Sequence, residues 1–146
     1  MSNSFIHLHL HSEYSISDSL IRIEELIDHV SKNKSPAVAI TDNNNIFSLI
    51  KFYKTAIRKG VKPIIGIEIN LEDKLDTEDF SKIVLLCKNL KGFQNLSSLI
   101  TESYINLNEG EEFKVSRENL AQKSEGLIAL SGGIHGDLAR AIKLER

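Results

Sequence analysis

The chain has 146 residues, of which 41% are hydrophobic and 26% are charged, and its formal net charge is −2. These values are typical of a globular domain with a core, and they exclude the strongly basic surface that binds duplex DNA by releasing counterions. A single cysteine, Cys87, excludes an internal disulfide, and no apolar run approaches the roughly 18 residues of a membrane helix. We therefore expect a cytoplasmic protein with no membrane partner.

The first predicted element is a strand over residues 5–10, at the start of a run in which histidine alternates with aliphatic residues. Alternate residues of a strand share one face, so His7, His9 and His11 are expected on one side. Imidazole is a common metal ligand, and this spacing favours a metal site. Two other interpretations are a half-buried strand with chance histidines and the remnant of an affinity tag. A tag is the weaker of these, because tags are contiguous.

The following segments alternate between helical and extended patterns. Apolar residues recur at helical spacing between residues 20 and 30, and again over residues 46–59, where the helix ends at Gly60. Residues 37–41 and 63–70 are predicted strands, and the second of these is apolar enough to be buried on both faces. Residues 71–79 form an acidic segment, which is interpreted as a solvated connector.

The second half of the chain continues the alternation. The predicted elements are a strand over residues 83–87, a helix over 93–105, a short helix over 116–122, a strand over 126–130 and a final helix over 137–144. Strands alternating with helices predict an α/β fold with a parallel sheet. These strands are too few to close a barrel, so we expect an N-terminal part of a larger domain that continues beyond Arg146.

Several polar residues follow the carboxyl ends of the predicted strands. They are His9, His11, Asp42, Glu68 and Ser131. In barrels and doubly wound sheets, that edge is where binding and catalytic sites are assembled. The sequence therefore predicts one polar site at this edge.

An ordered set of motifs resembles a known family. The motifs are His9-Leu10-His11-Ser12, Thr41-Asp42, Lys51-Phe52-Tyr53, Gly60-Val61-Lys62-Pro63-Ile64-Ile65-Gly66-Ile67-Glu68, Gly92-Phe93-Gln94-Asn95-Leu96 and Gly126-Leu127-Ile128-Ala129-Leu130-Ser131-Gly132-Gly133. Together they resemble the polymerase-and-histidinol-phosphatase (PHP) superfamily, and more narrowly the PHP domains of bacterial DNA polymerase III alpha subunits. The resemblance covers essentially the whole chain.

This resemblance implies a distorted TIM-like (β/α)7 barrel with mostly parallel strands, of which residues 1–146 are the N-terminal portion. Active members of the superfamily hold up to three metal ions and hydrolyse phosphoesters. Adjacent cations polarise the phosphoryl oxygens and generate hydroxide from bound water. The resemblance places His9, His11, Asp18 and Glu68 at ligand positions.

Three positions depart from the pattern of active members. Asn43 follows Thr41-Asp42 where a histidine is expected, Lys82 stands in place of a histidine, and Gly133 stands in place of a cysteine or histidine. A protonated ammonium has only donors and cannot ligate a metal. The resemblance therefore implies a degenerate site that binds Zn or Mn weakly at most, with no catalytic residue assigned. Asp42 and Ser131 remain possible residues of its rim.

The function that follows from the resemblance is a scaffold. The parent protein would be a replicative DNA-directed DNA polymerase whose Mg-dependent palm domain and DNA contacts lie outside this chain. The chain itself would be inactive and would dock the proofreading exonuclease subunit within the polymerase III holoenzyme. One alternative is a metal-dependent phosphoesterase, either histidinol-phosphatase-like or a built-in 3′–5′ proofreading exonuclease. Another is a small binding module that shares half of the barrel.

Overall fold

The computed structural model describes residues 5–72 and 80–143, so most of the predicted connector 71–79 lies outside the described residues. No helix in these two stretches has both the length and the apolar character needed to span a membrane. The elements in chain order are α1 (Ile23–Lys32), β1 (Ala37–Ile40), α2 (Leu49–Arg58), β2 (Lys62–Glu72), β3 (Phe80–Cys87), α3 (Leu90–Ile105), α4 (Arg117–Gln122), β4 (Leu127–Ser131), a 3-10 turn (Gly133–His135) and α5 (Asp137–Lys143).

The chain divides into two compact units, residues 1–67 and 68–146, and the division falls inside β2. In the first unit, β1 pairs in parallel with the start of β2, from Ala37 opposite Lys62 to Ile40 opposite Ile65. Helix α1 buries Ile23, because apolar residues recur every three or four positions along it. The core of this unit consists of Ile23, Ile27, Val30, Val38, Ile40, Phe52, Ala56 and Val61.

The histidine segment is not a strand, because the backbone bends at Leu8 and His9, which corrects the prediction for residues 5–10. Its backbone is hydrogen-bonded to β1: Ala39 N donates to the His7 carbonyl at 2.9 Å, and Thr41 N donates to the Leu10 carbonyl at 2.8 Å. The amide of Leu10 instead donates to the hydroxyl of Thr41, at 2.9 Å. The Thr41 hydroxyl therefore accepts a hydrogen bond that a backbone carbonyl would accept in a regular pair of strands.

In the second unit, β3 pairs antiparallel with β4, from Ile83 opposite Ser131 to Cys87 opposite Leu127. The α/β class is confirmed, but the strand pairing is mixed and the expected parallel direction does not extend to this pair. Two helices and a loop connect β3 to β4. This connection is long enough for β4 to begin beside either end of β3, so it allows either strand direction. Both strands are mostly apolar, so their side-chain pattern does not encode direction.

Two of the family motifs meet at a close backbone contact in the second unit. Helix α3 begins at Leu90, and the side chain of its N-cap residue Asn89 accepts a hydrogen bond from Gly92 N at 2.9 Å. A Cβ atom built on Gly92 would lie 1.9 Å from the carbonyl oxygen of Gly126. Gly126 has φ +79°, a left-handed conformation that favours glycine. Both glycines are therefore required by packing, which explains why each motif contains one.

Candidate metal centre

His9 and His11 are neighbours at the surface of the first unit. Their ring centroids are 5.2 Å apart, and the rings meet edge to face at 73°. His11 is partly buried, and its Nδ1 lies 3.7 Å from Oδ2 of Asp18. His7 is exposed and its ring packs against Phe5 at 4.8 Å. The predicted pair of neighbouring imidazoles is therefore present. Because His7 is exposed, it is not a buried residue that supports this pair.

Asp42 is a fully buried carboxylate that fastens the histidine segment to β1. It accepts hydrogen bonds from Ser12 N at 2.6 Å, from the Ser12 hydroxyl at 2.8 and 2.9 Å, and from the Ser15 hydroxyl at 2.8 Å. The placing of Asp42 at the rim stays a prediction, and the bonds that its oxygens accept give it a structural role as well. Sequence reasoning missed the role of Ser12 and Ser15, and the only available signal was a small hydroxyl residue directly after the histidine pair.

Asn43 is bonded to one of the predicted ligands. Its Nδ2 donates to Oδ2 of Asp18 at 3.1 Å, and its backbone N donates to the Ser15 hydroxyl at 3.0 Å. The amide therefore supplies a hydrogen-bond donor to a carboxylate of the candidate set. The amide nitrogen thus occupies one of the two carboxylate oxygens of Asp18.

Glu68 is buried in β2, in the second unit, with only 3% of its surface exposed. The ammonium of Lys82, at the start of β3, donates to Glu68 Oε2 at 2.9 Å. A buried carboxylate is costly without a partner, and a charge-assisted hydrogen bond of this length is a strong one. Lys82 thus neutralises this buried carboxylate.

The strand end that carries Ser131 lies beside Lys82, because β4 runs antiparallel to β3 and Ser131 pairs with Ile83. A Cβ atom on Gly132 would lie 2.0 Å from the carbonyl oxygen of Lys82, so the two backbones touch. Gly133, by contrast, has open space around its missing Cβ and φ +57°. Ser131, at the end of β4, therefore lies beside the start of β3. A parallel pairing would have placed it beside the carboxyl end of β3.

Among the described residues, His9 and His11 in the first unit and Glu68 in the second are of types that can hold a metal ion. Imidazole and carboxylate ligands suit Zn or Mn. Asp18, the fourth predicted ligand, is outside that group and contacts His11 and Asn43 instead.

Glu13, Lys51 and Cys87 are among the ionisable groups with shifted pKa values. A hydrogen bond from Lys51 Nζ to Glu13 Oε1, 2.8 Å long, lowers the pKa of Glu13 and raises that of Lys51. The pair is exposed to solvent and contributes little to stability. Burial raises the pKa of the Cys87 thiol to about 11, which keeps it protonated and unreactive.

The fold is α/β, and His9, His11 and Glu68 are residues of types that can hold a metal ion. The PHP domain family matches residues 7–146, so the chain belongs to that family. Over 142 residues, 97% of this chain, it is 42% identical to the DNA polymerase III subunit alpha of Pseudomonas fluorescens. It is 36% identical over 138 residues to the protein of the same name from Escherichia coli (strain K12).

The chain spans only 12% of the length of these relatives. Among solved structures, it is similar to an amidohydrolase from Chromobacterium violaceum with bound sulfate and no metal. That similarity has a TM-score of 0.52 and 23% identity, and it covers 67% of this chain and 32% of the other. It supports the fold alone.

Proposed function

We propose that the chain is the N-terminal part of the PHP domain of a DNA polymerase III alpha subunit and that it acts there as a scaffold. The parent protein is a DNA-directed DNA polymerase whose Mg-dependent palm domain and DNA contacts lie in other domains. Support comes from the relatives, which carry this name and match nearly the whole chain over 12% of their own length. In this proposal the domain is incomplete within residues 1–146.

The scaffold role is supported by the hydrogen bonds that Asn43 and Lys82, the residues at two altered positions, make to predicted ligands. Lys82 donates to Glu68, and Asn43 donates to Asp18. A divalent cation about 4 Å from an ammonium is repelled by on the order of 8 kcal/mol at an effective dielectric constant of about 20. This repulsion is as large as the binding free energy of a complex with a Kd of about 1 μM, which is about 8 kcal/mol. Lys82 therefore strongly opposes the binding of a divalent cation at Glu68.

We expect the chain to bind Zn²⁺ and Mn²⁺ weakly and to hydrolyse no phosphoester. Calorimetric titration should give less than one metal ion per chain, and release of p-nitrophenol from its phosphate ester should not exceed that of a His9→Ala/His11→Ala control. Two or more tightly held metal ions, with hydrolysis that the double substitution abolishes, would refute the scaffold proposal. The second candidate, a metal-dependent phosphoesterase, would then be favoured, since the paired imidazoles of His9 and His11 are in place.

Restoring the altered ligands should restore metal binding. In an Asn43→His/Lys82→His variant, we expect Zn²⁺ affinity to rise at least tenfold, because two donors are added and the repelling ammonium is removed. The matched control is Lys91→His, which makes the same exchange at an exposed position of α3. Equal affinities for the two variants would show that positions 43 and 82 do not belong to the site.

The docking part of the proposal has its own measurement. Mixing the chain with the proofreading exonuclease subunit of the same organism should shift both proteins to an earlier elution volume in gel filtration. The His9→Ala/His11→Ala variant should form the same complex, because a scaffold does not need the candidate ligands. Separate elution of the two proteins at micromolar concentration would remove docking from the role of this chain.

A further inference from the structure

Helix α2 and the turn before it expose large apolar side chains. Phe47, Ile50, Tyr53 and Ile57 each have between 51% and 73% of their surface exposed. Phe47 lies in the turn, and the spacing of Ile50, Tyr53 and Ile57 places these three on one side of the helix, away from Phe52, which is buried in the core. We call these four residues the α2 stripe. Contiguous exposed apolar surface of this kind commonly marks an interaction site.

A line of cations runs along the same helix. The ten residues of α2 include Lys51, Lys54 and Arg58 and no acidic residue, although the whole chain has a net charge of −2. Lys51 is paired with Glu13 at 2.8 Å. Within residues 5–72 and 80–143, Lys54 and Arg58 have no carboxylate partner. These two residues form a basic edge next to the stripe.

A cleft of about 340 Å³ lies at the amino-terminal end of the stripe, and Phe47 and Ile16 are among its lining residues. Ile16 is 91% exposed, so it forms an apolar side of the cleft mouth. Two of its polar groups are already bonded: the Ser15 hydroxyl donates to Asp42, and Asn45 Nδ2 donates to the Tyr14 carbonyl. The lining also contains Asn43, whose buried Oδ1 accepts no hydrogen bond from the described residues. An apolar side chain that enters this cleft would therefore break none of these bonds.

We propose that the α2 stripe, the basic edge and the cleft form a docking surface for an amphipathic protein helix whose apolar face is flanked by carboxylates. The stripe supplies the apolar contact, with Phe47 and Tyr53 as aromatic anchors of the kind that dominate interface energies. The basic edge selects the acidic flank, and the cleft receives an apolar residue at one end of the helix. This surface goes beyond the scaffold role, because it requires neither a metal nor the exonuclease.

Charge distinguishes this occupant from a second copy of the chain. Two α2 helices packed stripe to stripe would bring Lys54 and Arg58 of each copy towards the same cations of the other. Like charges at that distance oppose association, whereas carboxylates on a partner helix favour it.

The probe for this surface is a fluorescein-labelled synthetic helix with leucines at positions i, i+3, i+4 and i+7 flanked by glutamates. Its anisotropy is measured with the 146-residue chain, beside a matched peptide flanked by lysines. We expect the glutamate peptide to bind at least tenfold more tightly. Ile50→Ser/Tyr53→Ser should weaken its binding at least tenfold. Lys54→Glu/Arg58→Glu should reverse the preference between the two peptides.

The matched control is Leu90→Ser/Lys91→Glu, which makes the same kinds of change at an exposed apolar and basic pair of α3. It should bind both peptides as the unchanged chain does. Circular dichroism melting should be similar for all variants, since every substituted side chain is exposed. Equal binding of the two peptides by the unchanged chain, or equal losses in the α2 and α3 variants, would overturn the proposal.

Two further outcomes would assign the surface to another occupant. The first is self-association without peptide that Ile50→Ser/Tyr53→Ser abolishes, which would indicate a second copy. The second is sedimentation with phosphatidylserine vesicles that Lys54→Glu/Arg58→Glu abolishes, together with no peptide binding, which would indicate an anionic lipid surface. Either result contradicts an acidic protein helix as the occupant.

Discussion

Asp42→Ala should lower the free energy of unfolding by about 3–5 kcal/mol, a large part of the stability of an ordinary domain. The carboxylate accepts bonds from the backbone and hydroxyl of Ser12 and from the hydroxyl of Ser15, and it is fully buried. Alanine would leave these donors without an acceptor, and hydrogen bonds to charged groups are worth about 1.5–3 kcal/mol each. Urea unfolding followed by circular dichroism measures the change.

Two variants separate the carboxylate from its neighbours. Asp42→Asn keeps the shape and one acceptor oxygen, so its loss should be smaller than that of alanine. Ser15→Ala removes one donor to the carboxylate and the acceptor of Asn43 N but leaves the bonds to Ser12, so it should cost about 1.5–3 kcal/mol, less than Asp42→Ala. An Asp42→Ala midpoint equal to that of the unchanged chain would show that the network does not hold the histidine segment in place.

Gly92→Ala should destabilise the second unit by about 3 kcal/mol or more, against the direction that helix propensity predicts. In a helix interior, alanine is favoured over glycine by about 1 kcal/mol. At position 92, however, the new Cβ would lie 1.9 Å from the Gly126 carbonyl oxygen, and backbone is present on both sides of the contact. Overpacking of this kind usually costs about 1–3 kcal/mol, and more where neither side can move.

Gly60→Ala is the matched control for this substitution. Gly60 has φ +72° but nothing within 4 Å of a built Cβ, so alanine there meets only backbone strain. That strain is on the order of 1 kcal/mol. The melting temperature of Gly92→Ala should therefore be well below that of Gly60→Ala. A stabilised Gly92→Ala variant would mean that propensity, and not the contact with Gly126, decides the effect.

Much of the fold was predictable because the sequence encodes burial. The helical spacing of Ile23, Ile27 and Val30 indicated α1, and the apolar run around Ile67 indicated β2. Strand direction was not predictable in the same way. An apolar strand such as β4 has the same pattern whether it pairs parallel or antiparallel, so the ladder between Ile83 and Ser131 could not be anticipated.

The candidate site was predictable in its residues and only partly in their roles. The alternation of His9 and His11 indicated two neighbouring imidazoles, and their rings are 5.2 Å apart. A comparison of sequences shows only whether a ligand residue is kept or replaced at each position. Asn43 and Lys82 were therefore interpreted as replaced ligands. Their bonds to Asp18 and Glu68 depend on where flexible side chains reach in three dimensions, which no spacing rule describes.

In the scaffold proposal, the ion pair between Lys82 and Glu68 also makes the stability of this part of the fold independent of the supply of metal in the cell. A domain whose acidic centre is balanced by a bound cation loses about 1.4 kcal/mol of stability for each tenfold fall in free metal, until the site is empty. Lys82 is attached to the chain that it neutralises, so its effective concentration beside Glu68 is fixed by geometry. The charge balance at Glu68 is therefore the same under metal starvation and metal excess.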